Sequence, residues 1–126
     1  MSINLNENEI SELKTAFQDL INYDADDPTE PIDPLKYRAP DGDTCLHVAA
    51  SRGDIRSVQL LLKAGMDVNQ AGDMGYTALH YAGKKGYEDI IQVLLSHGAS
   101  KNIRDAFGKL PLNGDQKGAK WSPEKK

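Results

Sequence analysis

Thr44-Cys-Leu-His-Val-Ala-Ala-Ser-Arg-Gly53 and Thr77-Ala-Leu-His-Tyr-Ala-Gly-Lys-Lys-Gly86 are two copies of one pattern, 33 residues apart. The offset persists beyond them: Leu61-Leu62 maps to Leu94-Leu95, Gly65 to Gly98 and Asn69 to Asn102. A fixed period of this length marks one supersecondary unit repeated, each copy burying its apolar face against the next.

Within each copy the punctuation predicts two helices. Thr44 can cap a helix over 44–51 that Gly53 ends, and Asp54 starts a second over about 54–64 that ends at Gly65. Ile55, Val58, Leu61 and Leu62 give that second helix a buried stripe. The next copy predicts helices over 77–85 and 87–97, with turns at Gly75 and Gly86 and Gly98 as cap. Tyr87, Ile90, Ile91, Leu94 and Leu95 form its apolar face. A third copy starts at Gly108-Lys-Leu-Pro-Leu-Asn113 and then falters. Gly114 and Gly118 interrupt the expected helix at about 1 kcal/mol each relative to Ala, and the sequence stops at Lys126 before a second helix.

Upstream, Ile10, Leu13, Phe17, Leu20 and Ile21 trace one stripe of an amphipathic helix over 6–23. Asn6 and Glu9 have the spacing of a cap and its reciprocal partner. The helix is expected to cover the open end of the repeat stack, or else to bind a partner. Its register does not fit the 33-residue period, so it reads as a cap and not a hidden repeat. Residues 24–36 hold five acids and three prolines, which predicts an extended connection. The predicted division is 1–36, helix and acidic linker, and 37–126, repeats with a stunted C-terminal cap.

The 33-residue period with Thr-x-Leu-His-x-Ala resembles that of ankyrin-repeat proteins over roughly residues 37–113. The resemblance implies an all-α solenoid of helix-turn-helix repeats with short β-hairpin loops, here preceded by the N-terminal helix. It also implies a non-catalytic protein-binding role through the concave face: hairpin tips and the exposed side of each first helix. Carried onto this chain by repeat position, the expected partner-binding residues are Asp41, Asp43, Asp73, Met74, Tyr76, Phe107 and Lys109 at the tips, with Arg52, Tyr81, Lys84 and Lys85 on the first helices. Tyr76 and Phe107 are the expected aromatic anchors. His47 and His80 share one repeat position, so the resemblance gives them a structural role, bonding locally and to the neighbouring hairpin.

Chemistry is otherwise sparse. The sequence has no G-x-S-x-G, no P-loop and no G-x-G-x-x-G, and no recurrent metal-ligand spacing, so no cofactor and no metal are expected. Cys45 lies in the first turn of a helix, where thiol pKa falls, yet its equivalents are Ala78 and Pro111, which points to a small filler. A single cysteine, no run of 18 apolar residues and a start without a basic or apolar leader pattern point to the cytoplasm and away from a membrane. Net charge is −4, split into 11 acids against 3 bases over residues 1–43 and 8 against 12 thereafter. Acids interleave with those later bases, which disfavours nucleic acid. Three versions of protein binding follow. One is a generic stoichiometric module. Another is an immunity protein or inhibitor whose acidic third occludes a toxin or enzyme. The last is a regulatory or assembly subunit, monomeric or self-associating through Leu110, Leu112 and Trp121 at the unfinished end.

Overall fold

The structure, a computed structural model, describes residues 4–23, 25–27 and 29–112. Among the described residues five α-helices run in the order α1 (Glu7–Ala16), α2 (Cys45–Arg52), α3 (Ile55–Lys63), α4 (Ala78–Lys85) and α5 (Glu88–Ser96). The four repeat helices fall within a few residues of their predicted bounds. The pairs α2–α3 and α4–α5 are the two full repeats. Each first helix ends on a glycine in the left-handed region, Gly53 at φ 77° and Gly86 at φ 72°. Only a residue without Cβ adopts that conformation at no steric cost, and there the chain reverses into the second helix. Asp54 then starts α3 by accepting from the Ser57 backbone N–H at 3.1 Å and the Ser57 hydroxyl at 2.6 Å.

Small residues let the helices approach closely. Ala49, Ala50, Ala78 and Ala82 are buried with Leu46, Val58, Leu61, Leu79, Ile90, Ile91 and Leu94 in one aliphatic cluster. Leu5, Leu13, Phe17 and Ile32 belong to the same cluster, so the N-terminal segment shares the core of the repeats.

That segment corrects one prediction. The helix over 6–23 is shorter, Glu7–Ala16, although its cap is as read: Asn6 accepts from the Glu9 N–H at 2.8 Å while the Glu9 carboxylate accepts from the Asn6 N–H at 3.1 Å. Helix α1 stops because a neighbour takes over its end. The Arg52 guanidinium donates to the Ala16 carbonyl at 3.3 Å and pairs with Asp19 at 2.6 Å, and the chain tightens through a Leu20 N–H to Phe17 carbonyl bond. The apolar stripe accordingly ends in a half-buried Leu20, while Ile21 is 48% exposed.

The ion pairs also fix direction. Moving along α1, Glu9 meets Lys63 and Glu12 meets Arg56, so α1 runs antiparallel to α3, while Asp19 beyond its end meets Arg52 of α2. The first helices of the two repeats run parallel, since the last residue of α4, Lys85, reaches Ser51 near the end of α2.

The third copy is described as far as its hairpin and a turn at Pro111 and Leu112. Gly114, Gly118 and Trp121, read above as interrupting or closing that copy, lie outside the described residues, as does Asp24 in the linker. Among the described residues no helix is long and apolar enough to cross a membrane.

Candidate protein-binding face

Three short hairpins, residues 39–43, 72–76 and 105–109, repeat at the 33-residue period. Each is closed by the same bond: Ala39 N–H to Asp43 carbonyl at 2.8 Å, Gly72 to Tyr76 at 2.8 Å, and Asp105 to Lys109 at 3.0 Å. Neighbouring hairpins are tied to each other. The Asp73 N–H donates to the Asp43 carboxylate at 2.8 Å, and the Ala106 N–H donates to the Met74 carbonyl at 2.8 Å. Contact is close enough that a Cβ on Gly75, itself at φ 75°, would lie 3.1 Å from the Ala106 nitrogen. The hairpins thus form one continuous row.

The histidines anchor that row to the helices. In the first repeat the Thr44 N–H donates to His47 Nδ1 at 2.9 Å, and His47 Nε2 lies 2.8 Å from the Gln70 carbonyl. The second repeat is the same: Thr77 N–H to His80 Nδ1 at 3.0 Å, and His80 Nε2 to the Lys109 carbonyl at 3.1 Å. Accepting at Nδ1 and donating at Nε2 requires the neutral ring. Burial lowers the pKa of both histidines, although the carbonyls of Gln70 and Lys109 oppose it. Two arginines brace the hairpins in a way the sequence reading missed: Arg38 donates to the Gly42 carbonyl at 2.6 Å and Arg104 to that of Gly108 at 2.7 Å. Their spacing, two periods apart and four residues before a glycine, was the available signal.

The equivalent tip positions are Asp41, Met74 and Phe107. Asp41 is exposed, Met74 is 52% exposed and Phe107 is 62% exposed. Met74 sits in the left-handed region at φ 57°, where a non-glycine residue is uncommon. Behind the tips a chain of side chains crosses the repeats. The Tyr81 hydroxyl donates to the Asp43 carboxylate at 2.8 Å; burial first, and this bond second, raise the Tyr81 pKa. The Tyr76 ring meets Tyr81 edge-on at 5.4 Å. Lys84 donates to the Tyr76 hydroxyl at 2.9 Å and lies 4.3 Å from the ring centre. Asp43, expected at a tip to face a partner, is instead the hub of this chain of side chains, accepting from both Tyr81 and the Asp73 backbone.

The remaining expected residues divide between two surroundings. Lys85 is exposed on α4 and donates to the Ser51 carbonyl at 3.2 Å. Lys109 is exposed at the third hairpin. Arg52 is engaged by Asp19 and lies 5.9 Å over the Phe17 ring, so it belongs to the seam with α1. Asp105, behind Phe107, is buried; burial pushes its pKa up, but the N–H groups of Lys109 and Phe107, with His80 and Lys84 nearby, hold it below the usual value.

Cys45 is fully buried and its pKa is pushed up to about 12 by burial, which makes it a packing residue and not a nucleophile. Elsewhere a cleft of about 560 Å3 opens between α1 and residues 30–35, lined largely by Leu5, Ile10, Leu13, Ile32, Pro34 and Leu35.

The family model described as ankyrin repeats (3 copies) matches residues 10–105. The match takes in most of α1 as well as both full repeats and the start of the third hairpin. No match of comparable strength is found among curated proteins. Period, hairpin row, paired helices and histidine anchors all agree with that match: the chain belongs to the ankyrin-repeat family, whose repeats generally mediate protein–protein interaction.

Proposed function

We propose that the chain is a non-catalytic module that recognises another protein stoichiometrically, through the hairpin row and the exposed side of α4. One observation carries this reading. Met74 and Phe107 are large apolar side chains at equivalent tip positions, both more than half exposed, on hairpins bonded directly to each other. A scaffold with no further role would place polar turn residues there, as Asp41 does in the first hairpin. Adjacent exposed apolar side chains with aromatic neighbours have the composition of an interface centre. A free, buried Cys45 suits a reducing compartment such as the cytoplasm.

The inhibitor version leaned on the acidic first third. Three of those acids, Glu9, Glu12 and Asp19, are already matched by Lys63, Arg56 and Arg52. They hold α1 against the first repeat, which supports the broader reading over one that needs them for a partner.

The test is quantitative co-purification from native cells with the tagged chain and with a Met74→Ser, Phe107→Ser variant. A partner recovered in stoichiometric amount by the first and lost by the second, at unchanged helical content, supports the proposal. Equal recovery by both places recognition elsewhere and removes it.

A further inference from the structure

Helix α1 shows what covers a surface of this protein. It brings Leu13 and Phe17 into the core, and it sets Glu9, Glu12 and Asp19 against three cations of the first repeat. The second repeat offers the same kind of surface without such a cover. Lys84 and Lys85 are exposed and neither pairs with a carboxylate among the described residues. We infer that the protein segment recognised by this face is acidic as well as apolar, placing carboxylates at Lys84 and Lys85 and seating apolar side chains on Met74 and Phe107. The inference rests on the proposed binding reading and names the partner's chemistry.

Three features of the face support it. Lys84 is not a freely moving cation: Tyr76 holds its ammonium by hydroxyl and ring, Tyr76 rests on Tyr81, and Tyr81 is hydrogen-bonded to Asp43. A charge already held in place loses less conformational freedom on binding than a mobile one, which favours affinity. Second, the left-handed backbone at Met74 projects an apolar side chain at a conformational cost, and such outliers cluster where a ligand is clamped.

Third, the charges along the row have a direction. Asp41, Asp43 and Asp73 outnumber Arg38 at the first two hairpins, whereas Lys84, Lys85 and Arg104 lie toward the third. Asp105 offsets Lys84 in part, but its carboxylate is held by two backbone N–H groups and the cations remain in excess there. An acidic segment is repelled at one end of the row and attracted at the other, which fixes its position. A uniform polyanion such as nucleic acid has no such fit.

The experiment is a selection of short random peptides displayed on phage against the full chain. Enriched sequences are then measured by fluorescence anisotropy against the wild type, Lys84→Glu with Lys85→Glu, and Phe107→Ser. The expected peptides combine Asp or Glu with an aromatic or large aliphatic residue. They should lose about tenfold in affinity in either variant, and should weaken as salt rises. Peptides that are neutral or basic but still depend on Phe107 overturn the acidic assignment and leave the binding face standing. Peptides indifferent to both variants, or none enriched, overturn the inference. Circular dichroism of the variants separates lost binding from lost fold, and these exposed side chains leave the fold intact.

Discussion

The N-terminal flank of the stack and its hairpin row are two surfaces made of the same repeat, and they end up in opposite states. On the flank, the cations of α2 and α3 find acids, and an aromatic ring, Phe17, is wholly buried. Along the row, the cations of α4 find a tyrosine and a carbonyl, and the aromatic tip, Phe107, stays in solvent. A solenoid must close its ends because each repeat buries apolar surface only against a neighbour. It has no such need along the row, where a hairpin is satisfied by its own backbone bonds. The difference teaches that surface chemistry left unmatched on one side of this fold is matched by the chain itself on another, and the unmatched side is the face we propose for a second molecule.

The largest way to break the contrast is to open the flank. Phe17→Ala should cost about 3–5 kcal/mol in urea unfolding, since the ring is fully buried and its loss leaves a cavity. A loss below about 1 kcal/mol would mean that the cap is not integral to the core. The row is next. His47→Ala strips a partner from the Thr44 N–H and the Gln70 carbonyl, at a cost of about 2–3 kcal/mol.

Acidity separates the two regions without mutation. Folding lowers the pKa of His47 and His80, so the unfolded chain takes up protons first and stability falls as pH drops below the ordinary histidine value of 6.5. Glu9 and Glu12 are lowered by hydrogen bonds from Lys63 and Arg56, so their contribution holds above 4.5 and is lost only as pH falls below it. Denaturation midpoints measured from pH 8 to pH 3 should therefore fall in two stages. In His47→Gln with His80→Gln the upper stage should vanish and the lower one remain.

Smaller effects sharpen the picture. Arg52→Ala removes an ion pair whose side chains are 38% and 59% exposed, and should cost at most about 1 kcal/mol, shrinking in high salt. Met74→Asn places a residue that tolerates the left-handed conformation at φ 57°, and should stabilise the fold by about 0.5 kcal/mol while weakening partner binding. A variant that is both more stable and equally tight would end the argument that Met74 is kept for recognition.

Much of this was legible in the chain. The repeat period gave four helices nearly to the residue, because Thr, Asp and Gly act locally through caps and φ angles that need no distant neighbour. The shared position of His47 and His80 gave their structural role. The tip positions Asp41, Met74 and Phe107 also follow from the period alone. The length of α1 was not legible, since its apolar spacing continues through Ile21 and only the arrival of Arg52 at Ala16 ends it. Arg52 looked like a face residue by its repeat position, and it lies in the seam because Asp19 reaches it from outside the repeat.

The sequence by itself determined the repeat, its caps, its family and the residues that occupy each hairpin tip, because all of these depend on spacing along the chain. Only the tertiary structure decided which charges meet. Glu9, Glu12 and Asp19 are engaged by the first repeat, Asp43 is committed to Tyr81 and Asp73, and Lys84 is held over Tyr76 with no close ion pair among the described residues. Those pairings join side chains remote in sequence, and the antiparallel docking of α1 that brings the first three together has no signature in the period.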